Sequence, residues 1–346
     1  MFALKNAVKL PRCIQVEWED GLQASFNYLW LQDNSPKRPS LVHLDLHTKP
    51  EAVKCSPNGL NIVWPPYSNS DYSSQFLRSN ALAATKKEKE MQEPINRPST
   101  STAEPFLRRA TNNSHQRLTK FHASTSGMNS VNVKSVPFKQ RAIDDAFFKL
   151  RRGEASVSQS SNEEEIWALV DAGADYSPYT VHRSYWGGAS REPGTVCTHM
   201  SCVPTICAVD ALSNAKNNAP VILSVVDACR AMTALAARHP SAFEFLSQNF
   251  INYSEGIFNT RHNACHCDAN GNPLPGVFNN MTRSTQLTAE PVEPLYASLQ
   301  LLGRICGEMT RFVRVPVGKR LLVDNTRGWL GAPTQTGRRV MITSLG

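Results

Sequence analysis

Nowhere in these 346 residues is there an apolar run long enough to cross a bilayer, which excludes a membrane-spanning helix and any membrane partner that needs one. No internal repeat is present, so solenoids and propellers are excluded as well. The nine cysteines are an odd number, at positions 13, 55, 197, 202, 207, 229, 265, 267 and 306, and their spacing forms no secreted disulfide framework. Reduced thiols in a mitochondrial or cytoplasmic protein are expected. Acid is missing from the first 16 residues, which carry Lys5, Lys9 and Arg12; that suits a mitochondrial presequence or a basic first strand.

The net charge is +8, yet most of it is local: Ser79 to Glu154 holds 14 Lys and Arg against 7 Asp and Glu. The remainder is nearly neutral, so the basicity does not describe a nucleic-acid-binding surface and no nucleic-acid partner is expected. The same stretch contains KKEKEMQE, RPSTSTAEP and SVSQSSNEEE, polar segments with little apolar periodicity. It reads as a solvated linker or insert, with AIDDAFFKLRR as a short amphipathic helix inside it.

Composition and periodicity divide the chain into a small β-rich N-terminal domain (1–78), the basic linker (79–165) and a core (166–346). CIQVEW, LQASFNYLWL and LNIVW read as strands in the first part, the last stopped by Pro65 and Pro66. In the core, EIWALVDAG reads as a short helix ended by Gly173. A loop-rich stretch with Gly187, Gly188 and Pro193 follows, then VILSVV as a buried strand. Asp227 is placed to cap a helix over ACRAMTALAARH, and Pro240 to start another over SAFEFLS. Leu295, Leu299, Leu302 and Cys306 recur at helical spacing, and FVRVPV, LLVDN and RVMIT are strand-like.

Several phrases in order carry a resemblance: WEDG…LWLQDN, PTICAVDALSNA (204–215), FNNMTRS, VEPLYASLQLL, LLVDNTRGWLG and GRRVM. Together they resemble the γ-butyrobetaine and trimethyllysine dioxygenases of carnitine biosynthesis, a TauD-like family that uses Fe(II) and 2-oxoglutarate. The resemblance covers roughly 13–78 and 204–340. It implies a mostly β fold with some α, a double-stranded β-helix (jelly-roll) core behind the small N-terminal domain. It also implies a small trimethylammonium substrate and a homodimer.

The same resemblance locates what is missing. The family's iron ligands are His-x-Asp early in the core and a distant His, two imidazoles and a carboxylate that leave positions open for 2-oxoglutarate and oxygen. The distant His falls on Leu330. For the first pair the candidates are His199, in HMS, or His182, in HRS; both triplets end in serine, Ser201 or Ser184, in place of the carboxylate. Asp210 stands where the family has a His that is not a ligand. Arg338, or else Arg339, matches the arginine for the distal 2-oxoglutarate carboxylate, to which a guanidinium donates two parallel bonds. Asn279 and Asn280 match a segment beside the substrate, although Asn-Asn also favours a plain turn. The structural zinc site implied for the N-terminal domain falls on Ser35, Lys37, Ser40 and Ser68, which cannot replace thiolates and an imidazole, so zinc is expected to be absent. That domain then depends on Trp18, Phe26, Trp30, Leu31 and Trp64.

Other clusters are weaker signals. Tyr176, Tyr179, Tyr185 and Trp186 supply ring faces for an aromatic cage or for the core. Cys265, His266 and Cys267 with His262 and Asp268 suggest metal ligands, but neighbours on a strand face opposite ways. Cys197, Cys202 and Cys207 read as small buried side chains. Two functions stay open: a hydroxylase of the carnitine type, or a catalytically inactive relative that keeps the fold without the iron site.

Overall fold

The computed structural model describes residues 2–35, 40–66, 68–81, 166–171, 180–212, 220–286, 292–335 and 339–345. The expected basic linker beyond Ala81, with its helix AIDDAFFKLRR, lies outside the described residues. Strand periodicity builds the N-terminal part. β1 (Leu4–Lys9), β2 (Cys13–Trp18) and β3 (Gln23–Asn27) form one antiparallel sheet; β4 (Ala52–Ser56), β5 (Gly59–Trp64) and β6 (Ser68–Ser73) form a second. CIQVEW and GLNIVW each bury every second residue, and Ile14, Val16, Trp18, Leu60, Ile62 and Trp64 meet in one cluster with Phe26, Trp30 and Leu31. The buried indoles keep their N–H groups bonded: Trp18 donates to Ser74 and Trp64 to Ser70.

LQASFNYLWL is not one strand. It is β3 followed by α1 (Tyr28–Asp33), because the Asn27 side chain accepts from the Leu29 amide and caps a helix there. The turn of helix lets Tyr28, Leu29, Trp30 and Leu31 all be buried, which a strand with one face outward would not.

The core is mostly β with α, a double-stranded β-helix. Its strands are β7 (Trp167–Asp171), β8 (Thr180–Trp186), β9 (Arg191–Gly194), β10 (Ile206–Leu212) and β11 (Val221–Asp227), then the hairpins β12 (Ile251–Glu255) with β13 (Phe258–His262) and β14 (Cys265–Cys267) with β15 (Pro273–Pro275). β16 (Arg311–Val315), β17 (Lys319–Asp324), β18 (Gly328–Ala332) and β19 (Arg339–Leu345) complete it. Five strands pair in the order β7-β17-β10-β19-β8 and four in the order β16-β11-β18-β9, antiparallel throughout. EIWALVDAG is therefore strand β7 rather than a helix: Trp167 to Asp171 completes the free edge of β17, and pairing there overrides a short local preference. Likewise the stretch expected to be loop-rich holds β8 and β9.

The two sheets face each other across one apolar cluster. Cys207, Val209, Leu321, Val323, Val340 and Ile342 come from the five-stranded side, and Leu223, Val225, Val313, Val315 and Leu330 from the other. On the outer face of the four-stranded sheet lie α2 (Ala228–Arg238), α3 (Pro240–Gln248) and α4 (Val292–Met309). Asp227 caps α2 through the amides of Cys229 and Arg230, and Pro240 opens α3, as the sequence implies. No described helix is long and apolar enough to cross a membrane.

The N-terminal sheets join this body through α1 and α4. Leu29, Leu41 and Leu44 enter the helical cluster. Gln300 donates to the Leu44 carbonyl at 2.7 Å, and the Trp30 indole to the Thr285 carbonyl at 2.8 Å. At the centre Arg283 donates to both Asp33 oxygens, at 2.9 and 2.8 Å, and the Tyr296 hydroxyl donates to Asp33 at 2.8 Å. The Arg283 and Asp33 side chains are 2% and 3% exposed, so neither charge has water as an alternative. Burial works against the Arg283 charge; Asp33 and Tyr296 outweigh it and raise its pKa above the ordinary arginine value. Asp33→Ala leaves a buried guanidinium unanswered and is expected to cost about 3–5 kcal/mol in a denaturant titration. Adding Arg283→Met recovers part of that loss; no recovery in the double variant disproves the pairing as its source.

Candidate functional site

Alternation across the four-stranded sheet decides where Leu330, the position the resemblance gives to the distant His, points. In β11, Leu223 and Val225 enter the inter-sheet cluster, while Val226 enters the helical one. In β18, Trp329 faces the helices and Leu330 faces the space between the sheets. Leu330 is 1% exposed, and its register partners are Val225 on one side and Gly194 on the other. Val196, Cys197 and Cys207 are members of the same cluster. Gly194 has no room for a side chain: a Cβ there would come within 2.8 Å of the Asn279 backbone.

The two histidines proposed for the start of the iron motif do come together. Their rings are 5.3 Å apart, His182 on β8 and His199 in the turn after β9. A carboxylate is also present, since Glu255 Oε2 at the end of β12 lies 2.6 Å from His199 Nδ1. This is the composition of a two-histidine, one-carboxylate site without its geometry. At 2.6 Å the Glu255 oxygen touches the imidazole nitrogen itself, off the line of a good hydrogen bond, and leaves no space for an ion between them. His182 Nδ1 is 3.4 Å from the Cys197 thiol, which also lies 3.2 Å from the Ser344 hydroxyl. Burial pushes the Cys197 thiol up, away from the thiolate a metal would need. Among the described residues no three His, Cys, Asp or Glu side chains converge so as to hold a metal. The donor set does not fit an iron ion, and no step is derived through one. Ser184 is on β8 opposite Ile342, and Ser201 lies in the exposed turn after His199.

The FNNMTRS segment uses its polar groups within the protein. Asn279 accepts from the Met281 amide and donates to the Thr195 carbonyl at 2.9 Å, starting a short 3₁₀ turn. Asn280 is buried; it donates to Glu192 Oε2 at 2.8 Å and accepts from Arg283 Nε at 3.0 Å. Both amides are thus occupied at the place where the resemblance expects substrate. Arg338 lies outside the described residues. Arg339 begins β19 opposite Leu212, and its side chain is outside them too. Asp210 is ion-paired with its cross-strand partner Arg320 at 2.6 Å.

Of the four cage candidates, Tyr176 and Tyr179 lie outside the described residues. Tyr185 and Trp186 are neighbours on β8 and face opposite ways, 64% and 7% exposed. The Arg191 guanidinium already covers the Trp186 ring, 5.0 Å from its centre. Cys265, His266 and Cys267 form the hairpin strand β14. Cys265 is buried against the Phe243 carbonyl and its thiol is pushed up to about 12 by burial, while His266 and Cys267 are exposed. Asp268 closes that hairpin by accepting from Asn270 and Asn272, and His262 lies apart, against the Met200 carbonyl at 3.1 Å. Cys197 and Cys207 are buried as expected, but Cys202 is exposed, since it sits in a turn rather than on a strand. All nine cysteines are free. Of the zinc positions, Ser35 follows α1, Ser68 is exposed on β6, Lys37 lies outside the described residues, and Ser40 donates to Glu192 across the junction with the core.

Sequence reasoning missed three working side chains. Asn325, within LLVDNTRGWLG, is 1% exposed and clips two backbone segments: it accepts from the Val196 amide at 2.8 Å and donates to the carbonyls of Val196 and Pro204. Glu192 and Glu255 stand alone in their segments, and no spacing marks them.

No known sequence family matches the chain, and no curated protein matches it. Solved structures do. A taurine dioxygenase from Burkholderia xenovorans is 14% identical, with 54% of this chain and 66% of that one covered at a TM-score of 0.36. The non-heme iron oxygenase OrfP in complex with Fe is 12% identical, with 45% of this chain and 50% of that one covered at a TM-score of 0.32. The match spans between half and two thirds of those proteins, and the fold assignment here rests on the strand pairing itself.

His262 supplies a pH test of this region. Burial lowers its pKa, against the opposing pull of the Met200 and Thr198 carbonyls. The folded state therefore favours the neutral ring. Its contribution is complete above the unfolded value of about 6.5 and is lost as pH falls from there through the lowered folded value. The denaturation midpoint should drop between neutral and mildly acidic pH, and His262→Asn should flatten that part of the profile; an unchanged slope rules His262 out.

Proposed function

We propose that this chain is a non-catalytic relative of the Fe(II)/2-oxoglutarate dioxygenases of the γ-butyrobetaine and trimethyllysine type, keeping their jelly-roll without their iron site. The observation that carries the reading is Leu330. It occupies the position of the distant iron ligand and points between the sheets, where an imidazole is needed, into an apolar cluster. The retained and lost parts of the motifs support it. Asn325, Asn279, Asn280 and Arg283, which hold backbone and buried charge, remain; the ligand positions of the resemblance that changed are Leu330, Ser201 or Ser184, and the zinc positions Ser35, Lys37, Ser40 and Ser68. The ordered phrases LLVDNTRGWLG, FNNMTRS and PTICAVDALSNA support the carnitine branch over other TauD-like enzymes.

The experiment is direct. Purified chain is mixed anaerobically with Fe(II) and 2-oxoglutarate, and the metal-to-ligand charge-transfer absorption is recorded; oxygen and trimethylammonium substrates are then added and CO₂ release is followed. Neither a band nor 2-oxoglutarate-dependent CO₂ is expected. Either signal overturns the non-catalytic reading and moves attention to His182, His199 and Glu255.

A further inference from the structure

The wall that the resemblance assigns to ligands is continuous with the junction between the N-terminal part and the core. Starting from the N-terminal side, Ser40 donates to Glu192 on β9. Glu192 accepts from Asn280, Asn280 accepts from Arg283, Arg283 donates to Asp33 of α1, and Asp33 accepts from Tyr296 of α4. Glu192 is two residues from Gly194, whose backbone is pressed against Asn279 and paired with Leu330. One unbroken run of polar contacts thus links the lost ligand wall to both ends of the inter-domain contact.

We infer that β9, β18 and the Asn279–Arg283 segment work as an internal joint that fastens the N-terminal domain to the core. The inference rests on the reading that the iron site is gone, and it adds what the vacated residues do. Four side chains along this wall have their polar atoms engaged by the protein: both Asn279 and Asn280 amides, both Glu192 oxygens and both Asp33 oxygens. Leu330 closes the same wall with apolar volume. A joint of this kind is cooperative, because loss of any member leaves a buried or half-buried donor or acceptor without its partner. Restoring the ligand at Leu330 therefore disturbs the joint before it creates a metal site, since its register partners, Gly194 and Val225, offer no second donor.

Hydrogen exchange on the full chain tests this. Asn280→Ala should raise exchange together in α1, near Asp33, and in β9, near Glu192, by about tenfold or more. Glu192→Gln, which keeps the shape and removes the charge, should raise it in the same two places if the alanine variant does not fold. Exchange that rises only within 279–283 in the variant that folds overturns the joint. Leu330→His should lower the melting temperature and produce no charge-transfer band with Fe(II) and 2-oxoglutarate. A band at unchanged stability in Leu330→His also overturns it. A band in the unaltered chain is a different result: it defeats the non-catalytic reading, while the paired exchange response judges the joint separately.

Discussion

A guanidinium removed from water must be answered by protein, and Arg283 is answered from 250 residues away. Asp33 supplies both its oxygens, and Tyr296 fills a remaining acceptor site. Isolated charges at this depth would each be strongly unfavourable, so the three segments that carry them are obliged to meet. That obligation fixes α1 against α4 and places the FNNMTRS segment between them. The apolar contacts of Leu29, Leu41 and Leu44 add strength to the junction, but apolar contact is not directional, and the forked pair sets the angle.

From this junction the polar order runs inward to β9, and the apolar order takes over at β18. The sheet pleat is what makes the change abrupt. Trp329 and Leu330 are adjacent in sequence, yet one packs on helices and the other between sheets. At the second position, where the resemblance expects a histidine, the side chain looks into the space between the sheets. Leucine there joins Val196, Cys197 and Cys207 and makes that space part of the core. The polar side chains nearby, His182, His199 and Glu255, have the chemistry of an iron site but stand in contact with one another or with Cys197. Identity of donors is not sufficient; a metal needs them around a common point.

Much of the fold was legible in the residues. CIQVEW, GLNIVW and VILSVVD show their strand character in alternation or apolar density, and Asp227 and Pro240 mark helix starts by local chemistry. What failed has one tertiary cause and one local one. EIWALVDAG has no intrinsic reason to be extended until β17 offers it an edge, and NYLWL has none to be helical until Asn27 caps it. The site was legible only as a set of substitutions. Leu330, Ser40 and Ser68 could be named from the resemblance, and the proximity of His182 to His199 could not.

The sequence by itself determined the strand alternation of CIQVEW and GLNIVW and the helix starts at Asp227 and Pro240, because those follow from residue type and spacing; the jelly-roll and the changed ligand positions were what the resemblance implied. Only the tertiary structure decided that Asn280 serves Glu192 and Arg283, that Asn325 clips two backbone segments, and that Glu255 contacts His199. The reason is the same in each case. Apart from the local bond between Asn280 and Arg283, these contacts join residues far apart in the chain; they depend on where sheets and helices bring side chains, and no local property of the chain encodes that meeting.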